Sequence, residues 1–256
     1  WGVIMKRLLD LLRINEVRFT FIVLSVMTIA GAISLKGNLM SGGAVPCMYD
    51  IYLVGTLHMV SSYCVPFILF YILFVERYNQ RPMQVIRERK VSNVWKRSVF
   101  DLVILTIFFT IYVLILTIIA GLLLTDEFYN WNEPVSRCVA WSGRICEEQP
   151  SFVLLVVSYI VETFETFLVT GIVMLGVWWC TNKEWAGYIA SIALITVDKV
   201  DKNKSLLFAK YYISSETYKK GLSISTNIIY PLLAAIIVFA LVNVLVRFKK
   251  KEFLGS

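Results

Sequence analysis

The sequence predicts an all-α, polytopic membrane protein with about six transmembrane helices, an N-terminal interfacial helix and both termini cytoplasmic. Three observations predict it. Hydrophobic residues make up 58% of the 256, with a mean hydropathy of +0.70, above the roughly half that soluble domains carry. Charged residues are only 17%, and they gather between long apolar runs instead of along amphipathic stripes. Lysine and arginine concentrate in three segments, which the positive-inside rule assigns to one side of the membrane. The net charge of +7 thus reads as topology and lipid contact, and nucleic acid is set aside as a partner. The whole of 1–256 reads as a single transmembrane domain, without internal repeats or low-complexity tracts.

Residues 4–16 are expected to form a helix. Ile4, Met5, Leu8, Leu9, Leu11 and Leu12 fall on one side at about 100° per residue, with Lys6, Asp10 and Arg13 opposite. Such a helix either lies in the membrane interface or extends the first span. Five apolar runs are read as spans against the roughly 20 residues a crossing needs: 19–35, 51–75, 100–124, 152–180 and 224–246. The first contains Ala30-Gly31-Ala32 behind basic residues, the pattern of a cleaved signal; the chain keeps everything upstream, so a retained span is expected.

A sixth span, 186–197, is short and rests on orientation. Basic residues crowd the stretch before Phe19, the segment 76–99 and the C-terminal tail from Arg247. If all three are cytoplasmic, the number of crossings is even, and 186–197 must supply one, either as a full span or as a partial path buried in protein. Ala186 with Ala190, and Gly187 with Ser191, give it small residues four apart for close helix packing. The loop 125–150 and the segment 198–223 are then extracellular. Six lysines in 198–223 stand against that assignment.

Several chemistries have no motif here. There is no G-x-x-x-x-G-K-[ST] loop, so ATP-driven work needs a partner chain. One histidine, His58, excludes an H-E-x-x-H zinc site, no metal site is supported, and no G-x-S-x-G elbow occurs. The chain is therefore expected to be non-catalytic and to hold no cofactor of its own.

Three sets of residues remain as candidates. Glu162 and Glu165 lie three apart in the fourth apolar run and so share a helix face, with Thr163, Thr166 and Thr170 nearby. Acids at such depth face a bundle interior or a watery cavity, as cation or substrate contacts or as a structural pair. His58, in the second run, is the third intramembrane polar candidate. In the segment 76–99, Pro82 can open a helix on which Met83, Val85 and Ile86 present apolar surface beside Arg87 and Glu88. That face suits docking on a soluble partner, while its arginines alone would serve as a positive-inside anchor. Cys138 and Cys146 share the outer loop and could bridge; Cys47 in the first outer loop is a rival partner.

The order of these features resembles the membrane subunits of ABC-2 type exporters, particularly small bacterial ones linked to antimicrobial-peptide export or self-immunity. The likeness covers most of the chain. It rests on the interfacial helix, the basic segment FVERYNQRPMQVIRERKVSNVWKRSVFD after span two, the short fifth span with its outer segment (AGYIASIALITVDKVDKNK), and the closing VRFKKKEF. The 125–150 loop departs from that pattern by its length and its cysteines. The resemblance implies a permease in a bacterial plasma membrane, moving a hydrophobic or peptide-like substrate. Two such subunits, identical or paralogous, would pair, each docking an ATPase that carries ATP and Mg. Pro82, Met83, Val85, Ile86, Arg87 and Glu88 then become its coupling residues. Two other classes stay open: an intramembrane enzyme using Glu162, Glu165 and His58, and a receptor or scaffold acting through its outer loops.

Overall fold

The computed structural model describes residues 15–50, 64–81, 85, 86, 88, 90–145, 149–200, 207, 208 and 221–249. Among them the protein is all-helical, with one isolated bridge pairing Val45 and Ser136. Seven helices follow one another among the described residues: α1 (Asn15–Ser41), α2 (Val65–Asn79), α3 (Val91–Leu124), the short α4 (Arg137–Ser142), α5 (Phe152–Thr181), α6 (Glu184–Val200) and α7 (Tyr230–Phe248). A π-helical turn, Ser225–Ile229, leads into α7. Three of these helical stretches are long and apolar enough to cross a membrane: Val91–Leu124, Phe152–Thr181 and Ser225–Phe248; a shorter apolar stretch, Phe19–Ser34, lies within α1. This is a membrane protein. The expected interfacial helix falls outside the described residues up to position 14, and so does most of the second apolar run, His58 included.

The helices alternate in direction. Ser25 and Tyr112 share a hydrogen bond of 2.7 Å, and Lys36 Nζ donates to the Leu124 carbonyl at 2.5 Å, so α1 and α3 are parallel. Asn79 Nδ2 donates to Asp101 Oδ2 at 2.8 Å while Tyr71 meets Phe109 ring to ring, so α2 runs against α3. Trp95 stacks on Trp179 and Thr117 bonds Tyr159 at 3.1 Å, so α5 also runs against α3. One end of the bundle therefore gathers the end of α2, the start of α3, the α5–α6 turn and the end of α7. Arg77, Lys96, Arg97 and Arg247 lie there, and Arg77 pairs with Glu184 at the head of α6, its Nε 2.8 Å from Oε2. The opposite end is capped by residues 42–50 and 125–145.

Helix α5 is the axis. It packs on α2, α3, α6 and α7 and is buried on every side from Glu162 to Trp179 except at Phe164, Val173 and Val177. It stops at Asn182, whose φ of 57° makes it the one described non-glycine residue with positive φ. Asparagine adopts that left-handed conformation more readily than other side chains, so the chain reverses within two residues into α6. There Gly187 lies against the backbone carbonyl of Met174, and Ser191 Oγ donates to the Thr170 carbonyl at 2.9 Å. The Gly187–Ser191 face, one of the two small-residue faces expected from the sequence, is thus the one buried on α5.

Helices α1 and α2 run past the expected ends at 35 and 75, to Ser41 and Asn79, and α3 and α6 depart further. Helix α3 begins at Val91, inside the segment 76–99, because Val94 and Trp95 have core to bury and Trp95 Nε1 donates to Asn243 Oδ1 at 2.8 Å. Helix α6 runs three residues beyond 197, and Asp198 turns back to accept from the backbone N–H groups of Leu207 and Phe208 at 3.1 and 2.7 Å. Phe208 is fully buried in the main core. Part of 198–223 is thereby tied into the bundle instead of lying over it.

Candidate functional site

Three places in the structure carry the candidate residues. The first is the polar seam of α5. Glu162 and Glu165 are both fully buried, as are Ser158, Thr163, Thr166 and Thr170 around them. Thr166 and Thr170 are held locally: Thr166 Oγ1 donates to the Glu162 carbonyl at 2.8 Å and Thr170 Oγ1 to the Thr166 carbonyl at 2.6 Å. This back-bonding lets hydroxyls sit in an apolar interior without an outside partner. The two carboxyl groups are treated differently. Glu162 Oε1 lies 3.5 Å from Asn227 Nδ2. Among the described residues Glu165 has no hydrogen-bond partner at either oxygen. At 1.5 Å per residue Glu162 is about 15 Å along α5 from Phe152, level with the end of α6 and the start of α7.

Asn227 reaches Glu162 because of the π-turn. Pro231 has no N–H to give, and its ring crowds the carbonyl four residues earlier, which is that of Asn227. The preceding turn widens, with Tyr230 N–H bonding the Ser225 carbonyl five residues back. Asn227 Oδ1 in turn accepts from the Ser223 backbone N–H at 3.1 Å. Widened turns of this kind recur at functional sites.

The second place is the connection between α2 and α3. Val85 N–H bonds the Arg81 carbonyl at 3.0 Å, closing one helical turn. Val85 packs inward on the core, and Ile86 points out with 73% of its surface exposed. Glu88 fastens the turn to α3: its Oε1 accepts from Arg97 Nη1 at 2.8 Å, and its carbonyl accepts from Asn93 Nδ2 at 3.0 Å. Glu88 is therefore a tether, and Ile86 is the described side chain of this set that faces outward. Pro82, Met83 and Arg87 lie outside the described residues.

The third place is the cap at the other end. Asp50, fully buried, accepts from Trp131 Nε1 at 2.6 Å and from the Cys47 backbone N–H at 3.3 Å and thiol at 3.2 Å, while Arg137 Nη1 donates to its carbonyl at 3.0 Å. Tyr49 sits in edge contacts with Phe128, Tyr129 and Trp131. Cys138 is buried, with its sulfur 3.6 Å from the Arg144 carbonyl. Cys146 lies outside the described residues, and the bridge between the two with it. Cys47, the rival partner, is a free buried thiol.

Burial, reinforced by the Asp50 charge, raises the Cys47 thiol well above its ordinary range. The thiolate is the nucleophile, so the folded protein holds Cys47 inert. Maleimide at pH 8 is expected to leave Cys47 unlabelled in the native chain and to label it in denaturant, read by peptide mass mapping. Above about pH 8.5 an unfolded thiol loses its proton while the buried one keeps it, so alkaline pH removes stability through this residue.

Sequence reasoning singled out the Glu162–Glu165 pair and a docking face of Met83, Val85 and Ile86, of which Val85 turns inward because the core offers it apolar contacts, and it missed their surroundings. Asn227 was legible only as a polar residue near the start of an apolar run before Tyr230-Pro231, and Asp198 as a charge at the end of a short one. Asp50, Trp131 and Arg137 carried no local signal, because their partners lie more than 80 positions apart. Among the described residues no three His, Cys, Asp or Glu side chains converge as a metal site would require. No family model, curated protein or solved structure matches the chain.

Proposed function

We propose that this protein is the membrane permease subunit of an ATP-driven exporter, non-catalytic itself, crossing the membrane six times with both ends in the cytoplasm. A separate ATPase, carrying ATP and Mg, docks on the connection between α2 and α3, and a second permease copy or paralogue completes the path for a hydrophobic or peptide-like molecule. The observation that carries this reading is Ile86: an apolar side chain held out from a turn that Val85 and the Glu88–Arg97 pair hold against the bundle, at the end where the basic residues gather. A fastened apolar knob transmits a push, whereas a loose loop would absorb it. ATP binding acts by favouring one arrangement of the pair, which requires that the ATPase contact the two arrangements differently.

The test is co-purification from the native membrane in mild detergent. The wild-type chain is expected to bring a nucleotide-binding subunit with it. Burying an isoleucine contributes about 1.5–3 kcal/mol, so Ile86→Glu should weaken the complex at least about tenfold while leaving the permease folded. Recovery of the wild-type chain without any nucleotide-binding subunit would overturn the reading, and undiminished capture by Ile86→Glu would overturn the docking contact.

A further inference from the structure

At the end of the bundle away from the basic residues, a cleft of about 290 Å³ opens between the last turns of α1, residues 43–46 and the segment that follows α3. It has room for about ten water molecules at ~30 Å³ each. Hydrogen bonds fix its walls. The Met48 N–H donates to the Glu127 carbonyl at 3.0 Å, the Val45 N–H to the Val135 carbonyl at 2.9 Å, and Asn130 Nδ2 to the Val45 carbonyl at 2.9 Å. Lys36 Nζ donates to the Leu124 carbonyl and so ties α1 to the end of α3. The cleft is therefore preformed, as sites for small guests are.

Its lining is apolar at Met40, Val45 and Pro46 and charged at Lys36, Asp126 and Glu127. Lys36 is half-buried and the two acids are exposed. Among the described residues no ion pair joins Lys36 to either acid, so charges of both signs border one cleft without neutralising each other. An ammonium has three N–H donors; one of those on Lys36 goes to Leu124, which leaves two for a guest. A guest that is only an anion would meet two carboxylates and the negative end of the α3 dipole. One that is only a cation would meet Lys36. A guest carrying both signs a few bonds apart suits all three charged groups.

The level of the cleft in the membrane selects among such guests. Helix α3 exposes Ile115, Ile119, Leu122 and Leu123 along its membrane-crossing stretch, which ends at Leu124. Thr125, Asp126 and Glu127 follow at once, so the cleft lies where hydrocarbon gives way to head groups. Acyl chains running along Leu122 and Leu123 bring a phospholipid's head group to that level.

We propose that the cleft binds the zwitterionic head group of a membrane phospholipid, its phosphate on Lys36 and its primary ammonium on Asp126 and Glu127. The site rests on the membrane setting and not on the permease reading.

The test uses the purified full-length chain in a neutral detergent without any ATPase, so its outcome is separate from the co-purification. Binding of tail-labelled phosphatidylethanolamine is followed by fluorescence anisotropy. The competitors are unlabelled phosphatidylethanolamine, phosphatidylglycerol and glycerophosphoethanolamine. Phosphatidylglycerol keeps the phosphate but lacks the ammonium, so it is expected to compete at least about tenfold less well. Glycerophosphoethanolamine has the head group without acyl chains and is expected to compete poorly. Lys36→Met should weaken phosphatidylethanolamine at least about tenfold, the loss of a charge-assisted hydrogen bond, and Lys36→Arg should restore most of it. The double variant Asp126→Asn, Glu127→Gln should erase the preference over phosphatidylglycerol; both acids are exposed, so the chain is expected to stay folded. Equal competition by the two lipids would mean an unselective lipid shell and would overturn the site, as would a preference that survives in the acid variant. Glycerophosphoethanolamine competing as well as the lipid would overturn the lipid as occupant. Where Lys36→Met folds poorly, the wild-type ranking and the acid variant decide.

Discussion

Gly187→Leu is expected to separate α5 from α6 and to lower the melting temperature in detergent by about 10 °C. A Cβ placed on Gly187 would run into the backbone carbonyl of Met174 and lie 3.2 Å from Trp178 Cβ. Backbone in mid-helix cannot step aside as a side-chain tip can, so the helices themselves must move apart. Overpacking of this kind costs about 1–3 kcal/mol. The shift also pulls Ser191 from the Thr170 carbonyl, adding about 1 kcal/mol for a lost hydrogen bond. At about 2–4 °C per kcal/mol for a chain of this size, the two together give the expected fall. Gly37→Leu is the control, because its Cβ meets nothing within 4 Å. A Gly187→Leu chain melting within a degree or two of that control would mean that α5 and α6 do not approach as described.

The same contact shows what sequence carries and what it leaves out. Gly187 and Ser191 four apart were legible as a close-packing face because helical periodicity is local: it needs only the spacing of small residues. The ends of α5 were legible for the same reason, from an uninterrupted apolar run. The start of α3 was not, since Val91 to Val99 holds Lys96 and Arg97 and reads as a basic loop. What makes it helix is distant, namely Trp179 and Asn243, on which Trp95 settles. The candidate site divides likewise. Glu162 and Glu165 stood out as acids in an apolar helix, but which of them is partnered depends on a widened turn more than 60 residues later. The turn follows from Pro231, whereas its register against α5 follows from packing.

The cap is the extreme case of long-range control, and Asp50→Ala is expected to undo it at a cost of about 3 kcal/mol. The substitution removes the acceptor for Trp131 Nε1 and for the Cys47 backbone and thiol. All three groups are shut away from water, so each stranded donor costs about 1–3 kcal/mol unless the cap opens to hydrate it. Opening is the cheaper course, because the cap is held to the bundle chiefly by the aromatic cluster around Tyr49. Two readouts should move together: proteolysis within 125–145 should accelerate at least tenfold, and maleimide at pH 8 should now label Cys47. Asp50→Asn separates geometry from charge. Its amide oxygen still accepts from Trp131, so the cap should stay protease-resistant, and loss of the nearby negative charge lowers the thiol somewhat while burial keeps it protonated. A chain in which Asp50→Ala leaves both the cleavage rate and Cys47 unchanged would show that the aromatic contacts alone hold this end of the molecule. The polar knot would then be a consequence of the cap's shape, not its cause.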